Sequence, residues 1–257
     1  MTLVLAIRND SGVVLAADGL GTYGQTIGSQ QLPARKLAVI GDRCAVGQVG
    51  HPTVTGAMLG ALQQSELASQ PTMSKPSDEW LEIARASVAN WRNQYLANAG
   101  INWNIPLQSQ LPDALLVVAG IASDSTFSFS IHVNGFHFVA DTPNYLAQGS
   151  GAVFARNYLD AYSYFDLARH PVLTLKALAA RVMSRVSATQ VEIGGEISLI
   201  AIHREQSAEN PTPCQELTLD DPATQAAIQH WELAEADLEA SLRVFVPAQG
   251  QGGEAGP

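Results

Sequence analysis

The order of strand and helix patterns in this sequence predicts an α+β fold, a four-layer αββα sandwich of two stacked antiparallel sheets with helices on both outer faces. Apolar residues alternate with a period of two in short segments joined by turn-forming residues. Two pairs of segments with a period of about 3.6 interrupt these strands. Hairpins that alternate with helix pairs favour stacked antiparallel sheets over the one-strand, one-helix rhythm of a parallel sheet.

The first hundred residues predict two β-hairpins and then two helices. Residues 2–8 and 12–17 flank the turn formers Asn9, Asp10 and Ser11, and residues 36–40 and 43–49 flank Gly41 and Asp42. Helical stripes follow, and they contain Val54, Met58, Leu59 and Leu62 in the first helix and Trp80, Leu81, Ile83, Ala84 and Val88 in the second. Residues 100–112, with Asn, Gln and two prolines, predict a loop.

The second half predicts a meander, two more helices and a closing strand. Residues 114–121, 126–133 and 136–141 form the meander, with turns at Asp124 and at Asn134-Gly135. Helices are predicted at 152–164 and 173–186, and the last strand at 197–203. An amphipathic helix follows Pro222, with its apolar stripe at Ala227, Trp231, Ala234, Leu238 and Leu242. We therefore expect a core at 1–204, an acidic extension with one helix at 205–246 and a disordered Gly-rich tail at 247–257.

Charge and composition exclude several classes of function. The chain has 257 residues and a net charge of −10, of which −8 lies from His203 onward, where ten residues are acidic and two are basic. We interpret this acidic end as a solvated helix and tail or as a docking element. The acidity argues against nucleic acid as a partner, because such binding depends on Lys and Arg neutralising phosphates. The first residues form neither a signal peptide nor a membrane helix, which predicts a cytoplasmic protein. Cys44 and Cys214 suggest neither a zinc site nor a disulfide.

The chain begins with Met1 and Thr2, and a small second residue permits an aminopeptidase to remove the initiator methionine. Thr2 would then carry a free α-amine, whose ordinary pKa of about 7.7 to 8.0 is close enough to neutrality for it to act as a base toward the hydroxyl of the same residue. One residue would supply both the nucleophile and the base. Many proteins begin with these two residues, so the surrounding sequence decides whether the pattern has meaning.

Four segments, in order, supply that context. The opening TLVLAIRNDSGVVLAADGLGTYG resembles the start of proteasome β-type subunits and of the peptidase subunit of the bacterial two-tier heat-shock protease, which are N-terminal nucleophile hydrolases. RKLAVIGDRCAVGQVG is similar to the family segment that carries the catalytic lysine and the oxyanion glycine. YLAQGSGAVFARNYLD resembles the Gly-Ser-Gly entry into the third helix, and VEIGGEISLIAIHR resembles the closing strand. The resemblance covers Thr2 to about Arg204.

The resemblance implies five catalytic residues. Thr2 is the nucleophile, Asp18 and Lys36 form a buried ion pair beside it, the Gly47 amide is the oxyanion donor, and Ser150 hydrogen-bonds near the amine. A charged lysine near the amine disfavours its protonation and stabilises a developing alkoxide, and an aspartate keeps that lysine charged. Taken one at a time, Asp18 is also compatible with a turn, Lys36 with a surface charge, Gly47 with close packing and Ser150 with a helix cap.

Three positions near this pattern leave alternatives open. The alignment around Gly47 contains a small gap, and an ungapped alternative assigns the oxyanion role to Gly50. Ala45, two residues before Gly47, is implied as a substrate-binding residue whose small side chain leaves room for a large apolar group. Shortly before Gly194-Gly195, where the family usually has an aspartate and a serine, this chain has Gln190 and Ile193, which we interpret as altered support for the Thr2 amine.

The resemblance implies a threonine-type endopeptidase that needs no cofactor or metal. It further implies a homo-oligomeric ring or stack that encloses the active sites, unfolded proteins or peptides as substrates, and a separate ATPase as a possible partner. Two rival functions stay open. One is a non-catalytic assembly subunit that keeps Met1, and the other is a small-molecule amidase on the same fold.

Two other motifs do not predict function. Gly19, Gly21 and Gly24 spell a dinucleotide-binding fingerprint, but the residues after them lack the apolar stripe of the helix that this motif requires. His132 and His137 lie on neighbouring predicted strands without a third ligand at metal-binding spacing, and we expect them to be ordinary sheet histidines.

Overall fold

The computed structural model describes residues 2–23, 30–98, 111–135, 137–139, 144–161, 170–190, 193–205 and 212–243. Its strands are β1 (Val4–Asn9), β2 (Gly12–Ala17), β3 (Leu20–Tyr23), β4 (Gln30–Pro33), β5 (Leu37–Ile40), β6 (Cys44–Gly50), β7 (Ala114–Ile121), β8 (Thr126–His132), β9 (His137–Val139), β10 (Tyr145–Gln148), β11 (Ser198–His203) and β12 (Cys214–Thr218). Its α-helices are α1 (Pro52–Gln63), α2 (Glu66–Ser69), α3 (Ser77–Asn98), α4 (Ala152–Ala161), α5 (Val172–Thr189) and α6 (Pro222–Arg243).

Two five-stranded antiparallel sheets form the centre of the molecule. The first has the order β10-β1-β2-β11-β12 and the second has the order β5-β6-β7-β8-β9, while β3 and β4 form a separate hairpin. Helices α1 and α3 pack on the outer face of the second sheet, and α4 and α5 pack on that of the first. The predicted αββα sandwich is therefore confirmed.

Alternation along β1 explains why both faces of the first sheet are covered. Leu5 and Ile7 pack in the cluster beneath α5, whereas Val4 and Ala6 pack against the second sheet in the central core. All four side chains are fully buried. A strand with two buried faces reads as a continuous apolar run, which is the pattern of residues 3–7.

The predicted β1–β2 hairpin closes through a two-residue turn. Asn9 pairs with Gly12 at the end of the ladder. The Asn9 Oδ1 accepts hydrogen bonds from the Ser11 and Gly12 N–H groups, at 2.9 and 3.2 Å. An asparagine that bonds the backbone two residues ahead is a common local device for closing a turn. This hairpin sets β1 beside β2 and so determines which residues lie next to Thr2.

Four strands and two short helical turns were not predicted. Strands β3, β4 and β10 have four residues each, and β12 has the mixed sequence CQELT, so their apolar periodicity is too short to detect. A short α2 and a 3₁₀ turn at Thr72–Ser74 interrupt the connection between the predicted helices. The predicted loop at 100–110, parts of the third meander strand, the end of the helix at 152–164 and the tail at 247–257 lie outside the described residues.

The segment predicted as an acidic extension with one helix contains a strand as well. β12 pairs with β11 along its length and completes the first sheet. Helix α6 packs on α5, where Arg181 donates to Glu232 at 2.6 Å and the side chains of Ile228 and Trp231 contact the core. Strand β12 and helix α6 therefore form part of the sandwich. Within the described residues, no helix has both the length and the apolarity that crossing a bilayer would require.

Candidate active site

The backbone at Thr2 is held from two sides. The Thr2 N–H donates to the Ser150 Oγ at 3.2 Å, and the Gly151 N–H donates to the Thr2 carbonyl at 3.4 Å. On the other side, the Leu3 N–H donates to the Asp18 Oδ1 at 2.8 Å. The nitrogen of Thr2 therefore has a defined position beside a hydroxyl and close to a carboxylate.

The turn between β10 and α4 presents Ser150. Gly149 has a φ of +100°, and a Cβ on it would lie 2.2 Å from the Thr2 carbonyl oxygen. Only glycine combines this backbone conformation with such a close approach. The Ser150 hydroxyl contacts both the nitrogen and the carbonyl oxygen of Thr2, so it serves Thr2 directly besides lying at the start of α4.

Asp18 and Lys36 form a buried ion pair at the same place. Asp18 directly follows β2, and the β1–β2 register places it opposite Leu3. Lys36 directly precedes β5, and its Nζ donates to the Asp18 Oδ1 at 2.8 Å. The residues are only 1% and 7% exposed, so Asp18 is not a solvated turn residue and Lys36 is not a surface charge. The Asp18 Oδ1 accepts two hydrogen bonds, while its Oδ2 has no partner among the described residues.

Burial changes the acidity of Lys36. Removal of the ammonium group from water lowers the pKa of Lys36 below its ordinary value, and the negative charge of Asp18 opposes that effect. Burial outweighs the carboxylate. The ammonium group of Lys36 is consequently a stronger acid than that of a solvated lysine.

Thr2, Lys36 and Ser150 line one cleft with a volume of about 660 Å³. This volume lies within the range of pockets that hold small molecules or several residues of a peptide. The remaining walls come from the strand ends around this site, and they include Gly21, Pro33, Ala34, Arg35, Gln48, Val49, Gly50, Pro52, Thr55, Asp113, Leu115 and Gly149. The structure thus brings together Thr2, Asp18, Lys36 and Ser150.

Gly47, which the resemblance implied as the oxyanion donor, does not line this cleft. Hydrogen bonds that link β6 to β7 join His51 to Asp113 at one end and Arg43 to Ile121 at the other. Because bonded pairs alternate along an antiparallel ladder, the Gly47 N–H faces Val117 and is used within the sheet. A Cβ at Gly47 would lie 2.4 Å from Val4 in the central core, away from the cleft.

Gly50, the alternative that the sequence left open, lines the cleft. The same alternation turns its N–H away from β7 and toward the other edge of β6, where β5 begins only at Leu37. Gly50 has a φ of +97°, and a Cβ there would lie 2.3 Å from the Asp113 carbonyl oxygen. Its amide therefore takes no part in the β6–β7 ladder.

Ala45, which the resemblance implied as a substrate-binding residue, does not line the cleft either. It is fully buried in the core between the sheets. Counting two residues back from Gly50 instead of Gly47 leads to Gln48, which is half-buried and does line the cleft. The sequence-based interpretation missed Gln48 and Arg35. The only signal for Arg35 was its position next to Lys36.

Gln190 and Ile193 occupy the positions where the family pattern is broken. Gln190 ends α5, and its N–H donates to the Val186 carbonyl. Ile193 is buried against the turn that carries Ser150, because a Cβ on Gly151 would lie 2.3 Å from its Cδ1. An apolar contact thus supports the Ser150 turn from this side.

Gly21 of the glycine motif and His132 take part in ordinary sheet structure. Residues 20–23 form strand β3 paired with β4, so a strand stands where the dinucleotide motif needs a helix, and Gly24 lies outside the described residues. His132 contacts the Asp113 carboxylate through Nε2 and accepts from the Asn134 N–H through Nδ1. Among the described residues there is no group of three or more His, Cys, Asp or Glu that could hold a metal ion.

Two stacked antiparallel sheets with helices on both outer faces place this chain among proteins with the αββα sandwich fold. Comparison of the sequence with family models and with curated proteins gave no match. Solved structures do match. Anbu from Yersinia bercovieri, described as an ancestral beta-subunit, is 18% identical with a TM-score of 0.64, over 97% of this chain and 100% of that one.

Two further structures share the fold. The Anbu complex from Pseudomonas aeruginosa, described as a helical assembly, is 18% identical with a TM-score of 0.64, over 93% of this chain and 96% of that one. Eukaryotic HslV from Trypanosoma brucei is 17% identical with a TM-score of 0.55, over 79% of this chain and 99% of that one. At these identities the likeness establishes a proteasome-like fold and leaves the chemistry to the site itself.

Proposed function

We propose that this protein is a threonine-type endopeptidase whose nucleophile is Thr2, freed by removal of Met1. One observation carries the proposal. The Thr2 nitrogen lies 3.2 Å from the Ser150 hydroxyl, and the next residue is bonded to the carboxylate of a buried Asp18–Lys36 pair, in a cleft that Thr2 itself lines. A buried ammonium group beside an N-terminal threonine is the arrangement that activates a weak hydroxyl nucleophile.

The first half of the reaction forms an ester. The Thr2 Oγ1 attacks the scissile carbonyl carbon, and its proton moves to the α-amine of the same residue. The Gly50 N–H stabilises the negative oxygen of the tetrahedral intermediate. As the C–N bond breaks, the α-ammonium group gives that proton to the departing amine, and the acyl group stays on Oγ1. The charge of Lys36 keeps the amine neutral enough to accept the proton.

The second half regenerates the enzyme. The free α-amine takes a proton from water, and the resulting hydroxide attacks the ester carbonyl. Collapse of the second tetrahedral intermediate returns the proton to Oγ1 and releases a peptide with a new carboxylate. The residues of the site suffice for every proton transfer.

The substrates that fit this mechanism are unfolded proteins and peptides. Gln48 lines the cleft two residues before the proposed oxyanion donor, so we assign it the substrate-contacting role that the resemblance had implied for Ala45. By analogy with the helical assembly of the Anbu complex, we propose that many copies of this chain assemble and enclose their clefts. A separate ATPase would unfold substrates for such an assembly.

Replacement of Thr2 tests the proposal. We expect purified wild-type protein to lack Met1 by intact mass and to cleave fluorogenic peptides. Thr2→Ala should reduce kcat by at least a thousandfold, because it removes the nucleophile and keeps the amine. Thr2→Ser is the matched control, since it keeps a hydroxyl next to an amine, and it should retain measurable cleavage.

Two results would contradict the proposal. One is an active enzyme that retains Met1, because Thr2 would then have no free amine. The other is unchanged cleavage by Thr2→Ala, which would locate the reaction elsewhere.

A further inference from the structure

Strand β12, which lies beyond the region of family resemblance, contacts Arg35, a residue that lines the cleft. Successive side chains of a strand point to opposite faces, and two neighbours on β12 use this property. Gln215 accepts a hydrogen bond from the buried Lys176 of α5 at 2.9 Å. Glu216 accepts from the Arg35 Nη2 with both carboxylate oxygens, each at 2.8 Å. The strand is thus fixed to α5 on one face and to Arg35 on the other.

Arg35 lies at the boundary of two cavities. It directly precedes Lys36 and lines the cleft that contains Thr2. It also lines a second cavity of about 520 Å³, whose walls include Ser198–Ile200 of β11 and Glu216–Thr218 of β12. A peptide bound in the first cavity would pass close to the guanidinium group.

The guanidinium group keeps unused donors on this boundary. Only Nη2 bonds to Glu216, and Nε and Nη1 have no hydrogen-bond partner within the described part of the chain. The two side chains are 72% and 54% exposed, so the ion pair contributes little to the free energy of unfolding. An arginine that is held in place but has free donors is suited to bind a planar anionic group such as a carboxylate.

We propose that Arg35 binds a carboxylate of the peptide substrate, and that Glu216 is the positioning residue that holds the guanidinium group at the cleft. This inference rests on the peptidase function proposed above. The carboxylate comes from an acidic side chain near the scissile bond or from the C-terminus of a short peptide. The C-terminal segment therefore contributes to substrate selection through β12.

Matched peptides test the inference. Internally quenched peptides would carry a single Glu or Gln at each position flanking the scissile bond, and a separate pair would differ only in a free or amidated C-terminus. For the pair whose carboxylate reaches Arg35, we expect the wild-type KM to be about fivefold lower for the carboxylate member than for its uncharged counterpart. The kcat should change little, because Arg35 binds the carboxylate equally in the ground state and in the transition state. Arg35→Gln should bring that ratio to about one, and Arg35→Lys should keep part of it.

Two further variants test whether Glu216 acts by positioning the Arg35 guanidinium group. Glu216→Gln should raise the KM of the preferred peptide about two- to threefold. A fall in that KM would mean that Glu216 competes with the substrate, and it would overturn the positioning role. Arg85→Gln, which breaks the surface pair with Glu82 on α3, is the control and should leave the ratio unchanged.

Binding measurements keep this test independent of catalysis. The same labelled peptide pairs would be titrated into Thr2→Ala by fluorescence anisotropy, with Arg35→Gln added in the same background. Equal affinity for both members of every pair would overturn the inference. If the wild type cleaves no peptide but Thr2→Ala still binds the carboxylate member of a pair more tightly, the result counts against the proposed peptidase function and not against this inference.

Discussion

Two effects of opposite sign act on the ammonium group of Lys36. Burial favours its neutral form and the Asp18 carboxylate favours its charged form, and burial is the larger effect, so the pKa of Lys36 is lowered. The proposed mechanism needs the charged form beside the Thr2 amine. Burial thus brings the pKa of Lys36, the residue proposed to tune the nucleophile, closer to the working pH.

This shift predicts a loss of activity at alkaline pH. Below the folded-state pKa of Lys36 the group is charged, and as pH rises through that pKa, which lies below 10.5, kcat should fall. The contribution of Lys36 to the free energy of unfolding becomes more favourable as pH rises through the same range. Its buried charge is a cost at low pH, and this cost is relieved between the folded-state pKa and 10.5, where only the unfolded chain keeps the proton.

A pH profile of kcat checks this prediction, with unfolding measured in the same buffers. Lys36→Arg is the control, because a guanidinium group stays charged over this range. Any residual activity of that variant should lack the alkaline limb. A wild-type limb at or above pH 10.5 would contradict the prediction.

Removal of one partner of the buried Asp18–Lys36 pair should lower the free energy of unfolding more than removal of both partners. Asp18→Asn leaves Lys36 without a counter-ion, Lys36→Met leaves Asp18 likewise, and each should lower the free energy of unfolding by about 3 to 5 kcal/mol. The double variant should be more stable than either single one, although all three should be inactive. Urea denaturation of the four proteins gives the coupling energy, and strictly additive effects would argue against a coupled pair.

At the scale of the element, the two glycines Gly47 and Gly50 of strand β6 lie in different environments. Gly47 lies at its centre, where both neighbouring strands are present and a side chain would meet Val4. Gly50 lies at its end, where β5 has not yet begun, and it lines the cleft. A distance of three residues along one strand thus changes the role of a glycine from packing to proposed catalysis.

Alanine at each glycine distinguishes these roles. Gly47→Ala should lower stability by about 1 to 3 kcal/mol through overpacking, while kcat per folded molecule changes less than twofold. Gly50→Ala should lower kcat at least tenfold, because the positive φ and the contact with Asp113 force the amide to move. Active-site titration together with thermal unfolding checks both expectations. The reverse pattern would restore Gly47 as the oxyanion donor.

At the scale of the molecule, apolar side chains remain exposed next to the candidate site. Val153 and Phe154 follow the Ser150 turn on α4 and are 60% and 38% exposed. Two adjacent apolar residues of this size favour an interface, whereas Leu233 on α6, 67% exposed, is a single apolar residue on an acidic helix. The proposed assembly would give the α4 pair a partner.

The assembly is tested by its mass. Native mass spectrometry of the wild type should show a multiple of the mass of one chain, which is 27.3 kDa before Met1 is removed. Phe154→Glu should give smaller species, because an interface would have to bury the new charge, and Leu233→Glu should leave the mass unchanged. A wild-type monomer at micromolar concentration would contradict the proposed assembly.

Long periodic segments of this chain were predictable and short ones were not. Strand β1 and helices α1, α3 and α5 carry enough apolar repeats for their period to be counted, and the residues at 4–9 and 172–189 form the expected strand and helix. Strand β12 has five residues with a mixed pattern, and it exists because β11 offers it an open edge. A pairing partner distant in sequence leaves no trace in local periodicity.

The sequence by itself determined the αββα layers, because periodicity and turn formers are local properties. Its resemblance to a known family was what linked Thr2, Asp18, Lys36 and Ser150. The tertiary structure alone decided that Gly50 and not Gly47 lines the cleft, and that Glu216 pairs with Arg35, which also lines it. Both depend on where β5 begins relative to β6 and on how β12 pairs with β11. Such relations arise only when segments distant along the chain come into register, since hydrogen-bond alternation assigns each amide to a sheet or to a cleft.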